Sequence, residues 1–173
     1  FGINLKNKAS FVAGHSFGEY SAACFAGVFS LQDTAKLLRI RGEAMQSAVP
    51  YGIGGMAAVM GLSFKDVGAL VEACSNGKDV CVAANDNSDG QVVLSGAMSA
   101  IDRAVEIAQE FGARKCVKLA VSAPFHSPYM QPAAEAMARA FMNVEANDAS
   151  VPLIANVLAE PVKNHKEIIK HLI

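Results

Sequence analysis

The sequence of 173 residues is 52% hydrophobic and 18% charged, and its formal net charge is −1. These values exclude intrinsic disorder, which requires low hydrophobicity and high net charge, and they leave no basic excess for nucleic-acid binding. The longest uncharged stretch, residues 44–64, is interrupted by Pro50 and four glycines, so it does not predict a transmembrane helix.

The first 54 residues alternate between strand and helix signals. Residues 9–13 form a short apolar run that ends at Gly14, which predicts a buried strand. Small residues over 16–28 predict a helix, and Ser30 is a candidate N-cap for a second helix over 31–49. The glycine-rich stretch that follows indicates a linker before the next region.

Residues 55–122 show a different order of elements. The predicted elements are a strand over 56–60, a helix after Ser63, strands over 80–84 and 91–94, a helix after Ser99 and a strand over 115–121. Residues 85–90 join the two middle strands and contain Asp89-Gly90, a hairpin-type dipeptide. The order β-α-β-β-α-β is that of a ferredoxin-like unit.

The remaining residues return to the first pattern. They predict a loop over 122–128, a helix from about Pro132 to Met142, a second buried strand over 151–157 and a helix over 163–173. We therefore predict an α/β core of residues 1–54 and 123–173, with a ferredoxin-like small subdomain over 55–122 inserted between them. Because two strands are fewer than an open sheet usually has, we expect that residues are missing at both ends.

A GxSxG motif, Gly14-His-Ser-Phe-Gly18, lies between a predicted strand and a predicted helix. Such a turn calls for glycine on both sides of the serine and exposes the hydroxyl at the carboxyl edge of the sheet. Ser16 is therefore a candidate nucleophile, and the Phe17 N–H at the helix N-terminus is a candidate oxyanion donor. A glycine-rich turn with a merely exposed serine is the alternative.

A serine nucleophile needs a base, and the sequence contains four histidines. His15 is adjacent to the serine, so its side chain should point away, and His165 and His171 lie in the terminal helical segment. His126 lies in a loop between two prolines, directly after a predicted strand, where loops often carry functional groups. From spacing alone, His126 is either the base or an exposed loop residue.

Arg41 lies among the apolar positions of the predicted helix over 31–49. A guanidinium in such a position must meet an anion, since burying an unpaired charge is costly. An ion pair with an acidic side chain such as Glu19 would satisfy it. A bidentate contact with a substrate carboxylate would also satisfy it.

Four segments together resemble the malonyl-CoA:acyl carrier protein transacylases, the loading enzymes of type II fatty-acid synthesis. They are GHSFGEY at 14–20, RGEAM at 41–45, NDNSDGQVV at 85–93 and APFH at 123–126. The acyltransferase domains of polyketide synthases share these motifs. The resemblance covers nearly the whole chain, and it implies an α/β fold with a hydrolase-like parallel-sheet core and a ferredoxin-like insert.

The resemblance implies an acyltransferase that moves a malonyl group from malonyl-CoA to the phosphopantetheine thiol of acyl carrier protein. The mechanism it implies is ping-pong, with a malonyl-serine intermediate at Ser16. His126 would take the serine proton and later activate the carrier thiol. Arg41 would bind the malonyl carboxylate.

Three further residues take substrate-binding roles from the same resemblance. Phe17 would supply half of the oxyanion hole, Asn85 would line the site near His126, and the bulk of Phe125 would favour malonyl over methylmalonyl. Family members also have a Gly-Gln-Gly-type loop before the nucleophile and a second glutamine near the histidine. Neither is found in residues 1–173, which again suggests an incomplete sequence.

The expected partners are malonyl-CoA and acyl carrier protein, with no nucleic acid and no membrane. No cofactor or metal motif is found, and coenzyme A enters as a thioester substrate. The four cysteines form no CxxC pair, which favours reduced thiols and a cytoplasmic location. We expect the full-length protein to be a monomer.

Three alternatives share part of the pattern. An α/β-hydrolase-type esterase or thioesterase shares GxSxG, but its acid would have to be Asp89 or Asp102 in the predicted insert, and Arg41 would have no role. An acyltransferase domain of a polyketide synthase is the second alternative. A non-catalytic piece that self-associates through an open sheet edge is the third.

Overall fold

The structure is a computed structural model that describes residues 8–173, and it has the mixed α/β composition predicted from the sequence. The helices are α1 Phe17–Phe25, α2 Leu31–Ser47, α3 Val67–Cys74, α4 Met98–Ile107, α5 Gln131–Phe141 and α6 His165–Leu172. The strands are β1 Val12–Ala13, β2 Gly54–Met60, β3 Cys81–Ser88, β4 Gln91–Ala97, β5 Lys115–Lys118, β6 Leu153–Ala155 and β7 Glu160–Val162. No helix within the described residues is long and apolar enough to cross a membrane.

The chain divides into two compact units. The first joins the described residues before Ala44 to Ala134–Ile173, and the second is Ala44–Ala133. Residues 44–54 and 123–133, which the sequence analysis assigned to the core, therefore group with the inserted unit. A linker signal marks a local break in regular structure, whereas a compact unit is defined by tertiary contacts.

The sheet of the first unit has the order β1-β6-β7. Strands β1 and β6 are parallel, with Val12 opposite Leu153, whereas β6 and β7 are antiparallel. Strand β7, which contains Pro161 at its centre, was not predicted from the sequence. Proline cannot donate a ladder hydrogen bond and is confined to edge positions such as this one.

Helices α1 and α2 supply much of the core of the first unit. Tyr20 is 1% exposed, and its ring stacks on Phe141 with centroids 6.1 Å apart. Thr34 and Leu37 are buried on α2, and Arg41 follows Leu37 by one turn on the same side. Ser30 accepts the Asp33 N–H at 3.0 Å, so the predicted helix start is confirmed.

The second unit contains β2, α3, β3, β4, α4 and β5 in chain order, and its antiparallel sheet has the order β3-β4-β2-β5. Helices α3 and α4 bury Leu70 and Ile101 against this sheet. Strand β3 extends to Ser88, so Asn85 lies in a strand and not in the predicted loop. Helix α4 begins before Ser99, whose hydroxyl donates to Asp79 instead of capping the helix.

Candidate active site

Ser16 lies in the sharp turn between β1 and α1, with φ 54° and ψ −114°. Positive φ is uncommon for a residue with a Cβ, and such strain is concentrated at functional sites. A Cβ added at Gly14 would lie 2.1 Å from the carbonyl carbon of Gly18, so only glycine fits at that position. A Cβ added at Gly18 would meet no described atom within 4 Å. The steric demand therefore falls on the first glycine of the motif, not on both as predicted.

Asn156 fixes the backbone of the nucleophile from the neighbouring strand. It follows β6, which is parallel to β1, so the carboxyl ends of both strands meet at one edge of the sheet. The Ser16 N–H donates to Asn156 Oδ1 at 2.9 Å, and the Asn156 N–H donates to Glu19 Oε1 at 2.9 Å. Asn156 thus connects the residue before α1 to a side chain in its first turn.

Arg41 is directed at the nucleophile. Its Nη2 donates to Ser16 Oγ at 2.9 Å, and its guanidinium carbon lies 5.7 Å from the centroid of the Tyr20 ring. That ring position is favourable for a cation. Glu19, the ion-pair partner considered from the sequence, accepts the Asn156 N–H. The arrangement places a fixed positive charge within one hydrogen bond of the candidate nucleophile.

Glu19 and Tyr20, which lie close to Arg41, are both buried. Burial raises the pKa of Glu19, while the Asn156 N–H and the Arg41 charge act to lower it. Burial likewise raises the pKa of Tyr20 to about 12, against the opposing effect of the Arg41 charge. Charges in such surroundings are less screened than in water, which strengthens the field of the guanidinium at the Ser16 hydroxyl.

Phe17 is the first residue of α1, and its side chain is 66% exposed. The next two amides are used within the turn, since Gly18 donates to the His15 carbonyl and Glu19 to the Ser16 carbonyl. Within residues 8–173, the Phe17 N–H donates to no acceptor. A free amide at a helix N-terminus beside a serine hydroxyl is a suitable donor for an oxyanion.

His126 belongs to the second unit and has φ 56°, with an exposed side chain. Of the described residues other than glycine, Ser16, His126 and Ala159 have positive φ. The Ser127 hydroxyl donates to the Pro124 carbonyl at 2.6 Å, and the Phe125 N–H donates to the Ala123 carbonyl. The two predicted catalytic residues therefore both have positive φ, and at His126 the neighbouring residues Phe125 and Ser127 make the hydrogen bonds of the turn.

The other two predicted binding residues also belong to the second unit. Phe125 is half-buried immediately before His126. Asn85 is half-buried in β3 opposite Val93, next to a register shift between Ala83 and Asn85. Bulges of this kind redirect a side chain and are common beside active sites. The structure therefore brings Ser16, Phe17 and Arg41 together in one unit and places the other three in the second.

Asn156 and Tyr20 were not predicted as site residues from the sequence. Tyr20 belongs to the quoted motif, but its place beneath Arg41 depends on how α2 packs on α1. Asn156 was included in the predicted strand 151–157, whereas β6 ends at Ala155. A polar residue directly after a buried parallel strand was the signal that could have indicated it.

Comparison with known proteins identifies one family. The model of the acyl transferase domain family matches residues 7–171. A curated relative from Haemophilus influenzae, named malonyl CoA-acyl carrier protein transacylase, is 44% identical over 152 residues, which are 87% of this chain and 48% of the relative. The chain spans about half the length of the curated relatives it matches.

Solved structures give the same result. An acyl-carrier-protein-S-malonyltransferase from Bartonella henselae has a TM-score of 0.94 and 53% identity, over 99% of this chain and 54% of that one. A malonyl-transacylase solved in complex with its type II polyketide acyl carrier protein has a TM-score of 0.90 and 34% identity, over 94% of this chain and 52% of that one. The chain therefore belongs to the acyl transferase domain family.

Proposed function

We propose that this chain belongs to an enzyme that transfers malonyl from malonyl-CoA to acyl carrier protein. Ser16 would be its nucleophile, and Arg41 would bind the malonyl carboxylate. The observation that carries the proposal is the 2.9 Å hydrogen bond from Arg41 Nη2 to Ser16 Oγ. A malonyl group on Ser16 has its free carboxylate a short distance from the ester oxygen. A guanidinium beside the hydroxyl can bind that carboxylate through two parallel hydrogen bonds.

In the first half-reaction, Ser16 Oγ bonds to the thioester carbonyl carbon while its proton passes to His126. The Phe17 N–H donates to the oxyanion that forms. The carbon–sulfur bond then breaks, and coenzyme A leaves as a thiol with the proton from His126. The product is a malonyl ester of Ser16.

The second half-reaction reverses these roles. The phosphopantetheine thiol of the carrier gives its proton to His126, and its sulfur bonds to the ester carbonyl carbon. The carbon–oxygen bond to Ser16 breaks, and Oγ recovers the proton. Because each leaving group is a thiol or a serine hydroxyl, one histidine serves as base and then as acid.

Selectivity among acyl groups follows from Arg41 and Phe125. An acetyl group would leave the guanidinium without its carboxylate partner, and sites built to bind a charged group reject analogues that lack it. The Phe125 ring beside the base is proposed to crowd the branched carbon of methylmalonyl. Asn85 is proposed to line the substrate site near His126.

The esterase alternative is less well supported than malonyl transfer. It gives no role to Arg41, and the relatives are named as transacylases. The malonyl-transacylase solved with a polyketide carrier protein supports a carrier of that class as acceptor. Fatty-acid synthesis is the proposed setting, and an acyltransferase of polyketide synthesis is the remaining alternative.

We also propose the finer fold assignment. The order β-α-β-β-α-β and the sheet order of the second unit support a ferredoxin-like subdomain. The parallel pair β1 and β6, with the nucleophile at its carboxyl edge, supports a hydrolase-like core. A cytoplasmic monomer without a cofactor stays a prediction for the whole protein.

The test is transfer itself, measured with the full natural chain that carries this sequence. The protein is mixed with malonyl-CoA and phosphopantetheinylated carrier protein, and the intact mass of the carrier is followed. We expect malonyl-carrier to form with the protein and not with Ser16→Ala. Release of free malonate, or hydrolysis of a p-nitrophenyl ester without transfer, would support the esterase alternative instead.

A further inference from the structure

We propose that Asn156 is a positioning residue that holds Ser16 in its reactive backbone conformation and thereby orients the oxyanion donor. The inference rests on the proposed function, because it concerns the same serine. The contacts that carry it lie within the first unit and join two strand ends.

The Asn156 side chain acts on the strained residue itself. Its Oδ1 accepts the Ser16 N–H at 2.9 Å, across 140 residues of sequence. Ser16 has φ 54° and ψ −114°, a combination that costs free energy for any residue with a side chain. A conformation of this kind persists only where its surroundings hold it in place, and this hydrogen bond fixes the amide on one side of the φ torsion.

The Asn156 backbone is itself anchored. Its N–H donates to Glu19 Oε1 at 2.9 Å, and Glu19 is 4% exposed in the first turn of α1. The parallel pairing of β1 and β6, with Ala13 opposite Ile154, places Asn156 beside the turn. Helix α1 and strand β6 therefore fix the position of Asn156, and Asn156 in turn fixes the Ser16 amide.

The hydrogen bond between Asn156 and Ser16 affects catalysis through the orientation of the peptide that follows the serine. The ψ torsion of Ser16 sets the plane of the Ser16–Phe17 peptide and hence the direction of the Phe17 N–H. That amide donates to no acceptor within residues 8–173. A rotation at Ser16 would therefore displace both the nucleophilic oxygen and the oxyanion donor, whereas Arg41 is positioned separately by α2.

The experiment compares two isosteric substitutions in the full natural chain. Asn156→Asp retains an oxygen at the accepting position, and Asn156→Leu removes it while keeping a similar shape. Asn164→Ala is the matched control, because Asn164 also accepts backbone N–H groups, from Lys166 and Glu167, at the start of α6.

Two readouts are measured on each protein. One is the rate at which a fluorophosphonate labels Ser16, in which the Oγ–phosphorus bond forms, fluoride leaves and the proton passes to the base. The other is kcat and KM for acylation by malonyl-CoA. Labelling depends on the geometry of the nucleophile and not on malonyl recognition.

We expect Asn156→Leu to lower both the labelling rate and kcat by about tenfold or more, the loss of roughly one hydrogen bond in the transition state. The KM should stay within about twofold, because Arg41 is unaffected. Asn156→Asp should retain more of both rates than Asn156→Leu. Asn164→Ala should lower the melting temperature and leave both rates unchanged.

Three outcomes would overturn the inference. They are equal rates for Asn156→Leu and the unsubstituted protein, equal loss in the two Asn156 variants, or an equal loss in Asn164→Ala. If malonyl-CoA acylates no protein but labelling follows the expected order, malonyl transfer fails and the role of Asn156 stands. If the unsubstituted protein is neither labelled nor acylated at Ser16, both proposals fail.

Discussion

Arg41 Nη2 donates to Ser16 Oγ at 2.9 Å, although 25 residues separate them in the sequence. In this bond the hydroxyl oxygen of Ser16 is the acceptor and the guanidinium is the donor. The bond also means that Arg41, the proposed carboxylate-binding group, and Ser16 are adjacent before any substrate binds. A bound malonyl carboxylate would exchange places with the hydroxyl as the acceptor of this guanidinium.

Replacing Arg41 should therefore separate malonyl from acetyl transfer. We expect Arg41→Ala to lower kcat/KM for malonyl-CoA by about a hundredfold, since hydrogen bonds to charged groups contribute about 1.5–3 kcal/mol. The rate with acetyl-CoA should be unchanged or higher. The measurement is the acylation rate of Ser16 with each thioester.

Arg39→Ala is the control for this prediction. Arg39 lies on the same helix, its side chain is 81% exposed, and it pairs with Glu43 one turn away. Exposed pairs of this kind contribute little, so acylation should be unaffected. Equal losses with malonyl-CoA and acetyl-CoA in Arg41→Ala would contradict the assigned role.

The two glycines of the motif should respond differently to alanine. A Cβ at Gly14 would collide with the Gly18 carbonyl, whereas one at Gly18 has open space. We expect Gly14→Ala to destabilise the protein by about 1–3 kcal/mol or more, as overpacking does. Gly18→Ala should be neutral or stabilising by about 0.5–1 kcal/mol, because alanine favours the helix. Urea unfolding measures both changes in unfolding free energy. Equal changes in the two variants would contradict this prediction and show that the turn relaxes around a methyl group at position 14.

The buried Glu19 carboxyl should make stability depend on pH. Burial raises its pKa from the ordinary glutamate value, so the folded state holds this proton more tightly than the unfolded chain does. The contribution is fully present below about pH 4.3, the ordinary glutamate pKa, and it falls as pH rises through the raised pKa. Glu19→Gln keeps the oxygen that accepts the Asn156 N–H and abolishes the titration.

The unfolding free energy of Glu19→Gln, relative to that of the unsubstituted protein, should therefore increase between about pH 4 and about pH 8. Glu43→Gln, which removes an exposed carboxylate on α2, controls for the change in net charge. A variant that loses stability relative to the unsubstituted protein as pH rises would indicate that the ionised carboxylate is the favoured form.

The Tyr20 hydroxyl should contribute to stability through one long-range contact. It donates to the Leu172 carbonyl at 3.2 Å, across 152 residues of sequence. Tyr20→Phe keeps the ring beneath Arg41 and against Phe141, and it should cost about 1 kcal/mol of unfolding free energy. Tyr129→Phe is a matched control, because its hydroxyl meets the Lys78 carbonyl at 3.5 Å and should contribute less. Equal losses of unfolding free energy in Tyr20→Phe and Tyr129→Phe would contradict a specific contribution from the bond to Leu172.

Local features of the fold were predictable from the sequence. Ser30 accepts the Asp33 N–H as its spacing indicated, and Asp89-Gly90 forms the turn between β3 and β4. The order of the six elements in the second unit also followed from the sequence pattern, although β5 buries none of its residues fully. Errors at the ends of elements, as at Ser99, arose where a side chain found a partner far away in the sequence.

Contacts between distant segments were not predictable in the same way. Asn156 reaches Ser16 only because β1 and β6 are parallel neighbours, and no short-range pattern encodes that pairing. The strand β7 was missed because its central Pro161 opposes a strand assignment unless the strand is known to lie at an edge. Ser16 and Arg41 were both nominated from the sequence, but the hydrogen bond between them required the structure.

The most direct test of Ser16 as the nucleophile is the intact mass of the full natural chain after mixing with malonyl-CoA, followed by peptide mapping. We expect one malonyl adduct, located on Ser16, which is lost when phosphopantetheinylated carrier protein is added. Ser16→Ala should form no adduct, and His126→Ala should form it much more slowly. An adduct on another residue, or one that persists in Ser16→Ala, would contradict the assignment of Ser16 as the nucleophile.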